Sequence, residues 1–223
     1  KNIQLTIDSE LQDFCYKALD GQSGCVSVTN VFTGECSALV TSPSYDPNLF
    51  SATISNSKWE KLNNDRYKPL INKSISNQYP PGSTIKPFVA IAALEAGISE
   101  SKTIFCNGKH EIADKSLESG VKTFHCWKKQ GHGNVDLNEA IKVSCDVYFY
   151  QIAREIGINK IAEVCKRFGL GKQVFNEFIE ESNGLVPNKS WKKETLGTSW
   201  MVGETLSAGI GQGYFLATAA QLS

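Results

Sequence analysis

Apolar and polar positions alternate with period two over residues 2–8, which predicts a strand, and the spacing then becomes helical over residues 9–19, with Gly21 as a stop. Residues 25–28 and 36–40 form two further short strand-like runs. The Thr33-Gly34 pair between them supplies turn chemistry, so they are predicted as a hairpin. Residues 41–81 are rich in Ser, Asn, Pro and Tyr with little periodicity, and one long irregular surface connection is expected there. After Pro80-Pro81-Gly82, apolar residues return at helical spacing (Ile85, Phe88, Val89, Ala92, Ala93, Ala96) and Gly97 follows as a C-terminal stop, which predicts a buried helix. Residues 107–132 read as a second polar connection. Asp136 and Glu139 make a capping-box-like start for a short helix ending near Val143, and further helices are predicted after Asp146 and over 159–168, closed by Gly157 and Gly169. No repeat or Gly/Ser linker divides the sequence, so one domain is expected over 1–223.

Composition narrows the classes. With 41% hydrophobic and 21% charged residues, 223 residues suffice for a globular core. Basic and acidic residues number 23 each, so no global field favours nucleic acid or anionic lipid. The small clusters Lys128-Lys129 and Lys189, Lys192, Lys193 are expected to be solvated faces. The longest apolar run, 88–94, falls far short of the roughly 20 residues that span a bilayer. The chain starts at Lys1 with no signal-like segment, which suggests a start inside a longer chain.

Ser83 and Lys86 lie three residues apart at the start of a predicted helix, so hydroxyl and amine share a face. A serine becomes a nucleophile when a neighbouring base takes its proton, and a partly desolvated lysine can be that base, while the helix N-terminus favours negative charge on the attacked carbonyl. A Ser and a Lys at this spacing are common, and a plain helix N-cap is the other reading of Ser83. The surrounding residues 79–88, Tyr-Pro-Pro-Gly-Ser-Thr-Ile-Lys-Pro-Phe, resemble the active-site signature of the penicillin-binding proteins. Their second motif, Ser-x-Asn or Ser-x-Asp, is matched by Ser144-Cys145-Asp146 at the junction of two predicted helices. The resemblance implies that Ser144 relays or orients protons and that Asp146 bonds Lys86 or substrate; Asp146 could also cap the helix that follows it.

Further resemblance lies in residues 5–8, 43–48, Trp127-Lys128-Lys129 with His132-Gly133, and 209–214. It points to the class B penicillin-binding proteins and, among them, to the penicillin-binding protein 2 branch. That family implies a mixed α/β (α+β) transpeptidase fold, a sheet flanked by helices plus a helical subdomain, here without the C-terminal strands. The third family motif, Lys-Thr-Gly, is absent after Asp146, so this stretch alone is expected to be catalytically silent. A phosphate-cradling loop at 209–214 is disfavoured because no P-loop lysine follows.

Seven cysteines cannot all pair within one chain. Cys106, Cys126, His132 and Cys145 fall within forty residues and are a zinc-type donor set, with a Cys106–Cys126 disulfide as the rival. The resemblance implies a structural zinc site at corresponding positions, which would fix the loop bearing Ser144 and Asp146. His110 and His125 rank below His132, and Cys15, Cys25, Cys36 and Cys165 are expected to be small buried side chains. The function implied is peptidoglycan D,D-transpeptidation through an acyl-enzyme on Ser83, with covalent binding of β-lactams. A serine β-lactamase and a non-catalytic β-lactam-binding scaffold are the alternatives. Stem peptides, β-lactams and membrane proteins of the elongation machinery are the partners implied, at the periplasmic face of the inner membrane, with no organic cofactor and no nucleic acid.

Overall fold

In the computed structural model, which describes residues 3–51, 53–114, 116–175 and 178–223, the Asp8 carboxylate accepts the backbone N–H groups of Glu10 and Leu11 and starts helix α1 (Ser9–Ala18). The alternation that precedes it does not become a strand over residues 3–8. Ile3 and Leu5 are 85% and 70% exposed, and among the described residues the stretch is tied to the hairpin where Thr6 Oγ1 donates to the Cys36 carbonyl and Asp8 N–H to that of Ser37. Alternation produces a strand when one face is buried and a ladder accepts it, and here neither holds; Asn2 lies outside the described residues.

The chain divides into two compact units. The first, drawn from Lys1–Tyr79, Lys172–Asn183 and Ala217–Ser223, contains the expected hairpin, β1 (Gly24–Thr29) paired antiparallel with β2 (Cys36–Ser42), with Val26 opposite Val40 and a register shift at Val28/Thr29. One face of α1 packs on it: Cys15, Ala38 and Val40 form the core, joined by Leu11, Leu19, Val26 and Val28. The supposed irregular connection is partly ordered. It holds a 3₁₀ turn, Pro47–Phe50, and helix α2, Asn56–Asn64, which Ser55 caps. No residue of α2 is buried, so it has no apolar stripe for the sequence to display.

The second unit, Pro80–Gly171 with Gly184–Leu216, is mainly helical. A 3₁₀ turn, Gly82–Ile85, runs directly into α3 (Lys86–Glu95). α4 (Leu137–Lys142), α5 (Asp146–Ile156), α6 (Ile158–Arg167), α7 (Lys189–Leu196) and α8 (Val202–Gly209) follow. α5 is the axis of this unit. It buries seven consecutive or near-consecutive residues, from Asp146 to Ala153 with only Gln151 outside, and α3, α4, α6 and α8 pack around it. Each large apolar side chain so buried contributes about 1.5–3 kcal/mol. A Cβ on Gly209 would stand 2.5 Å from the Ala153 Cβ, so glycine there lets α8 reach α5.

Two small antiparallel ladders complete the unit: β3 (Ile104–Cys106) with β6 (Gly133–Val135), and β4 (Lys109–Ala113) with β5 (Val121–His125). They correct the expected polar connection over 107–132, whose outward positions are so polar that the half-buried alternation was hidden. Asp136 caps α4 through the Glu139 N–H, as expected. The basic cluster is also corrected: Lys192 is 4% exposed and donates to Glu204 and to the Ser199 carbonyl, so it is an internal tie and not a solvated face. Cys15 and Cys165 are buried, whereas Cys25 and Cys36 are only half-buried. No helix among the described residues is long and apolar enough to cross a membrane.

Candidate active site

Ser83 sits in the 3₁₀ turn that opens α3. Its hydroxyl caps nothing, because Pro81 and Ile85 occupy the two cap positions and neither end has a side-chain cap bond, which removes the N-cap alternative. The turn is braced locally by Thr84 Oγ1 donating to the Pro81 carbonyl at 2.8 Å. It is braced from outside by Gly82 N–H donating to the Gly211 carbonyl at 2.9 Å. A Cβ on Gly211 would lie 2.1 Å from the Gly82 carbonyl oxygen, so glycine at 211 lets that segment touch the Ser83 turn.

Lys86 is buried while Ser83 is exposed. The three ammonium protons have three acceptors: Asp146 Oδ1 at 2.7 Å, the Ser144 hydroxyl at 2.9 Å and the Ser144 carbonyl at 2.9 Å. The Phe149 ring lies 5.5 Å from Nζ and adds a cation–π contact. Helical spacing suggested a direct Ser83–Lys86 contact, but among the described residues no such bond forms. The Ser144 hydroxyl stands between them, receiving from Lys86 and donating to Ser83 Oγ at 3.0 Å. Asp146 does not cap α5; it is the first residue of that helix, and its second oxygen accepts the Trp127 backbone N–H at 3.0 Å.

Ser144 itself has φ of 52°, a left-handed conformation that costs a non-glycine residue roughly 1–2 kcal/mol. The loop between α4 and α5 holds it there through Ser144 N–H to the Ile141 carbonyl and Cys145 N–H to that of Ala140. The conformation brings both the hydroxyl and the carbonyl of one residue onto Lys86. Ser83, Ser144 and Asp146 open onto a cleft of about 750 Å³ whose walls include Phe124, Trp127, Tyr150 and Gln212, with Lys86 buried behind them. Of these, sequence reasoning reached Trp127 and Gln212, both only as part of a resemblance, and missed Phe124 and Tyr150. A tryptophan in an otherwise polar stretch was the available signal.

Behind this loop Cys106, Cys126, His132 and Cys145 converge, their ligand atoms all within 4.8 Å of one another. Cys126 Sγ is 3.5 Å and Cys106 Sγ 3.7 Å from His132 Nδ1. The edges of a tetrahedron at ordinary zinc bond lengths are about 3.5–3.8 Å, so the donors fit a four-coordinate metal. Burial, and then the neighbouring Cys106, push the Cys145 thiol up to about 12, so a thiolate there requires a cation beside it. Burial holds His132 below its ordinary value, leaving a neutral imidazole of the kind metals bind. All seven sulfurs are free, with no Cys106–Cys126 bond. His110 and His125 stand outside the cluster.

The family description "Penicillin binding protein transpeptidase domain" matches residues 24–223. Peptidoglycan D,D-transpeptidase MrdA of Escherichia coli K12 is 40% identical over 223 residues, all of this chain and 34% of that protein; the chain thus spans about a third of the curated relative. Pseudomonas aeruginosa PBP2, in complex with WCK 5153, superposes with a TM-score of 0.91 at 39% identity over 98% of this chain and 47% of the other. Helicobacter pylori PBP2, in complex with MreC, gives 0.89 at 37% identity over 99% and 40%. A match over nine-tenths of the sequence, on a fold that carries Ser83, Lys86, Ser144 and Asp146 in one connected cluster, shows that the chain belongs to the penicillin-binding protein transpeptidase family.

Proposed function

We propose that the protein carrying this chain is a peptidoglycan D,D-transpeptidase of the elongation machinery. Ser83 is its nucleophile, Lys86 its base, Ser144 the proton relay and Asp146 the group that holds Lys86. The observation that carries the reading is the continuous chain Asp146–Lys86–Ser144–Ser83, each link between 2.7 and 3.0 Å.

With Lys86 as the free amine, Ser83 Oγ attacks the carbonyl carbon of the penultimate D-alanine, and its proton moves through the Ser144 hydroxyl to Lys86. The C–N bond to the terminal D-alanine breaks, and the proton returns by the same path to the departing amine. An acceptor amine then attacks the ester, a new amide forms, and the proton it sheds restores the Ser83 hydroxyl. A β-lactam supplies the same carbonyl but keeps its leaving group tethered, so the ester on Ser83 persists. The Ser144 relay matters because, among the described residues, Lys86 Nζ bonds Ser144 and Asp146 and not Ser83.

Zinc is the metal this reading assigns to Cys106, Cys126, His132 and Cys145: soft sulfur donors and one imidazole are its preferred set. Four protein ligands leave no open position, so its role is structural, fixing Cys145 between Ser144 and Asp146. The similarity to a PBP2 that forms a complex with MreC supports a partner of that kind, and a peptidoglycan substrate is the reason this reading assigns the work to the periplasmic face of the inner membrane.

The test is intact-protein mass spectrometry of the full-length protein with and without a β-lactam, under native and denaturing conditions. One adduct that survives denaturation and vanishes in Ser83→Ala is expected, together with a native mass excess of one zinc. No adduct on the full-length protein would overturn the enzyme reading and leave a scaffold, and an adduct cleared within seconds would favour a β-lactamase.

A further inference from the structure

Trp127 is 63% exposed, yet every polar group it offers as a donor is used, and all converge on the segment that holds Lys86. Its indole N–H is shared between the Val143 carbonyl at 3.0 Å and the Ser144 carbonyl at 3.1 Å. Its backbone N–H donates to Asp146 Oδ2 at 3.0 Å. The Ser144 carbonyl therefore receives Trp127 from one side and Lys86 from the other, at a residue already in the left-handed region. A side chain that buries so little surface adds little to stability by burial. What it does add is a donor at the one backbone carbonyl among the three acceptors of Lys86.

We propose that Trp127 is a positioning residue for acylation: its indole N–H fixes the Ser144 peptide so that Lys86 and the Ser144 hydroxyl stay aligned with Ser83. This rests on the transpeptidase reading above. Trp127 also lines the cleft, and the ring meets His132 edge-on at 5.2 Å, so two other roles must be separated from this one: a wall that touches the ligand, and a prop for the cysteine cluster. They differ in what they move. Positioning changes the acylation step (k2) and leaves ligand binding (Ks) alone; a wall changes Ks; a prop changes metal content and melting temperature.

The experiment is a β-lactam acylation time course on the full-length protein across ligand concentration, giving k2 and Ks. It is run on the parent, on Trp127→Phe, and on protein carrying benzothienylalanine at 127, which keeps the bicyclic shape and replaces N–H by sulfur. Loss of one aligning hydrogen bond should lower k2 about tenfold in both variants. Ks, bound zinc and melting temperature should stay at the parent values, and 5-fluorotryptophan at 127, which keeps the N–H, should restore k2. Unchanged k2 in the benzothienyl protein overturns the proposal, as does a change confined to Ks or a loss of k2 that tracks zinc or melting temperature. If the parent itself is not acylated at Ser83, the transpeptidase reading falls and this inference with it; a parent that acylates beside variants that acylate equally fast sinks this inference alone.

Discussion

Asp146 and Ser144 occupy the same loop and serve the same lysine, but their removal should be felt in different quantities. Both Asp146 oxygens are bonded, one to Lys86 and one to the Trp127 N–H, and the Lys86 side chain is only 3% exposed. Asp146→Ala therefore leaves a buried ammonium without its counter-charge, a loss of about 3–5 kcal/mol. Denaturant unfolding of the variant should show it as a lower midpoint. Ser144→Ala removes a relay oxygen while the Ser144 carbonyl and Asp146 still hold Lys86. Its unfolding midpoint should stay near the parent's, and acylation of Ser83 should slow by about 10²-fold or more. Equal stability losses in the two variants would contradict this division of labour.

At the scale of elements, the β4–β5 hairpin leans on α5 through rings. His110 of β4 stacks on Tyr150 at 6.4 Å between centroids, Phe124 of β5 meets the same ring edge-on at 5.5 Å, and the Tyr150 hydroxyl donates to the His125 carbonyl. Burial, and then Arg154, hold the His110 imidazole below its ordinary value of 6.5. Its Nε2 is buried with no hydrogen-bond partner among the described residues. The unfolded chain therefore takes up this proton at a higher pH than the folded one does. The stability His110 provides is present above about 6.5 and is lost as pH falls from there through the folded-state value. His110→Phe should flatten that part of the stability curve, as followed by melting temperature between pH 7.5 and 5; an unchanged slope would refute the assignment.

This hairpin also shows what the sequence could and could not disclose. The β1–β2 hairpin, α3, α4 and α5 were legible because each pairs a buried stripe with a cap or turn residue. The cluster that holds Ser83, the proposed nucleophile, and Lys86 was legible because its residues matched a family signature. β4, β5 and α2 were not, since half-exposed strands and a helix with nothing buried leave no periodic trace, and the early alternation at 3–8 misled because no partner strand meets it. The interposed Ser144 hydroxyl was beyond reach for another reason: it depends on a left-handed φ at a serine, which no local pattern announces.

Across the whole molecule these differences should appear as a map of amide exchange. α5 has seven buried residues and α3 five, so their amides open only with most of their unit, whereas α2 has none and its hydrogen bonds are covered by water alone. Exchange measured by mass spectrometry on the full-length protein should find α2 saturated within seconds to minutes while α3 and α5 remain protected for hours. Chelation adds a second contrast. The four proposed ligands all belong to one unit, and Cys145 is bonded through the loop that carries Ser144 and Asp146. Stripping metal should therefore speed exchange in β3, β6 and the α4–α5 loop, and leave α1 and the β1–β2 hairpin at their original rates. Uniform acceleration would mean that the metal supports the entire fold, and no acceleration in the α4–α5 loop would mean that the loop stands without it.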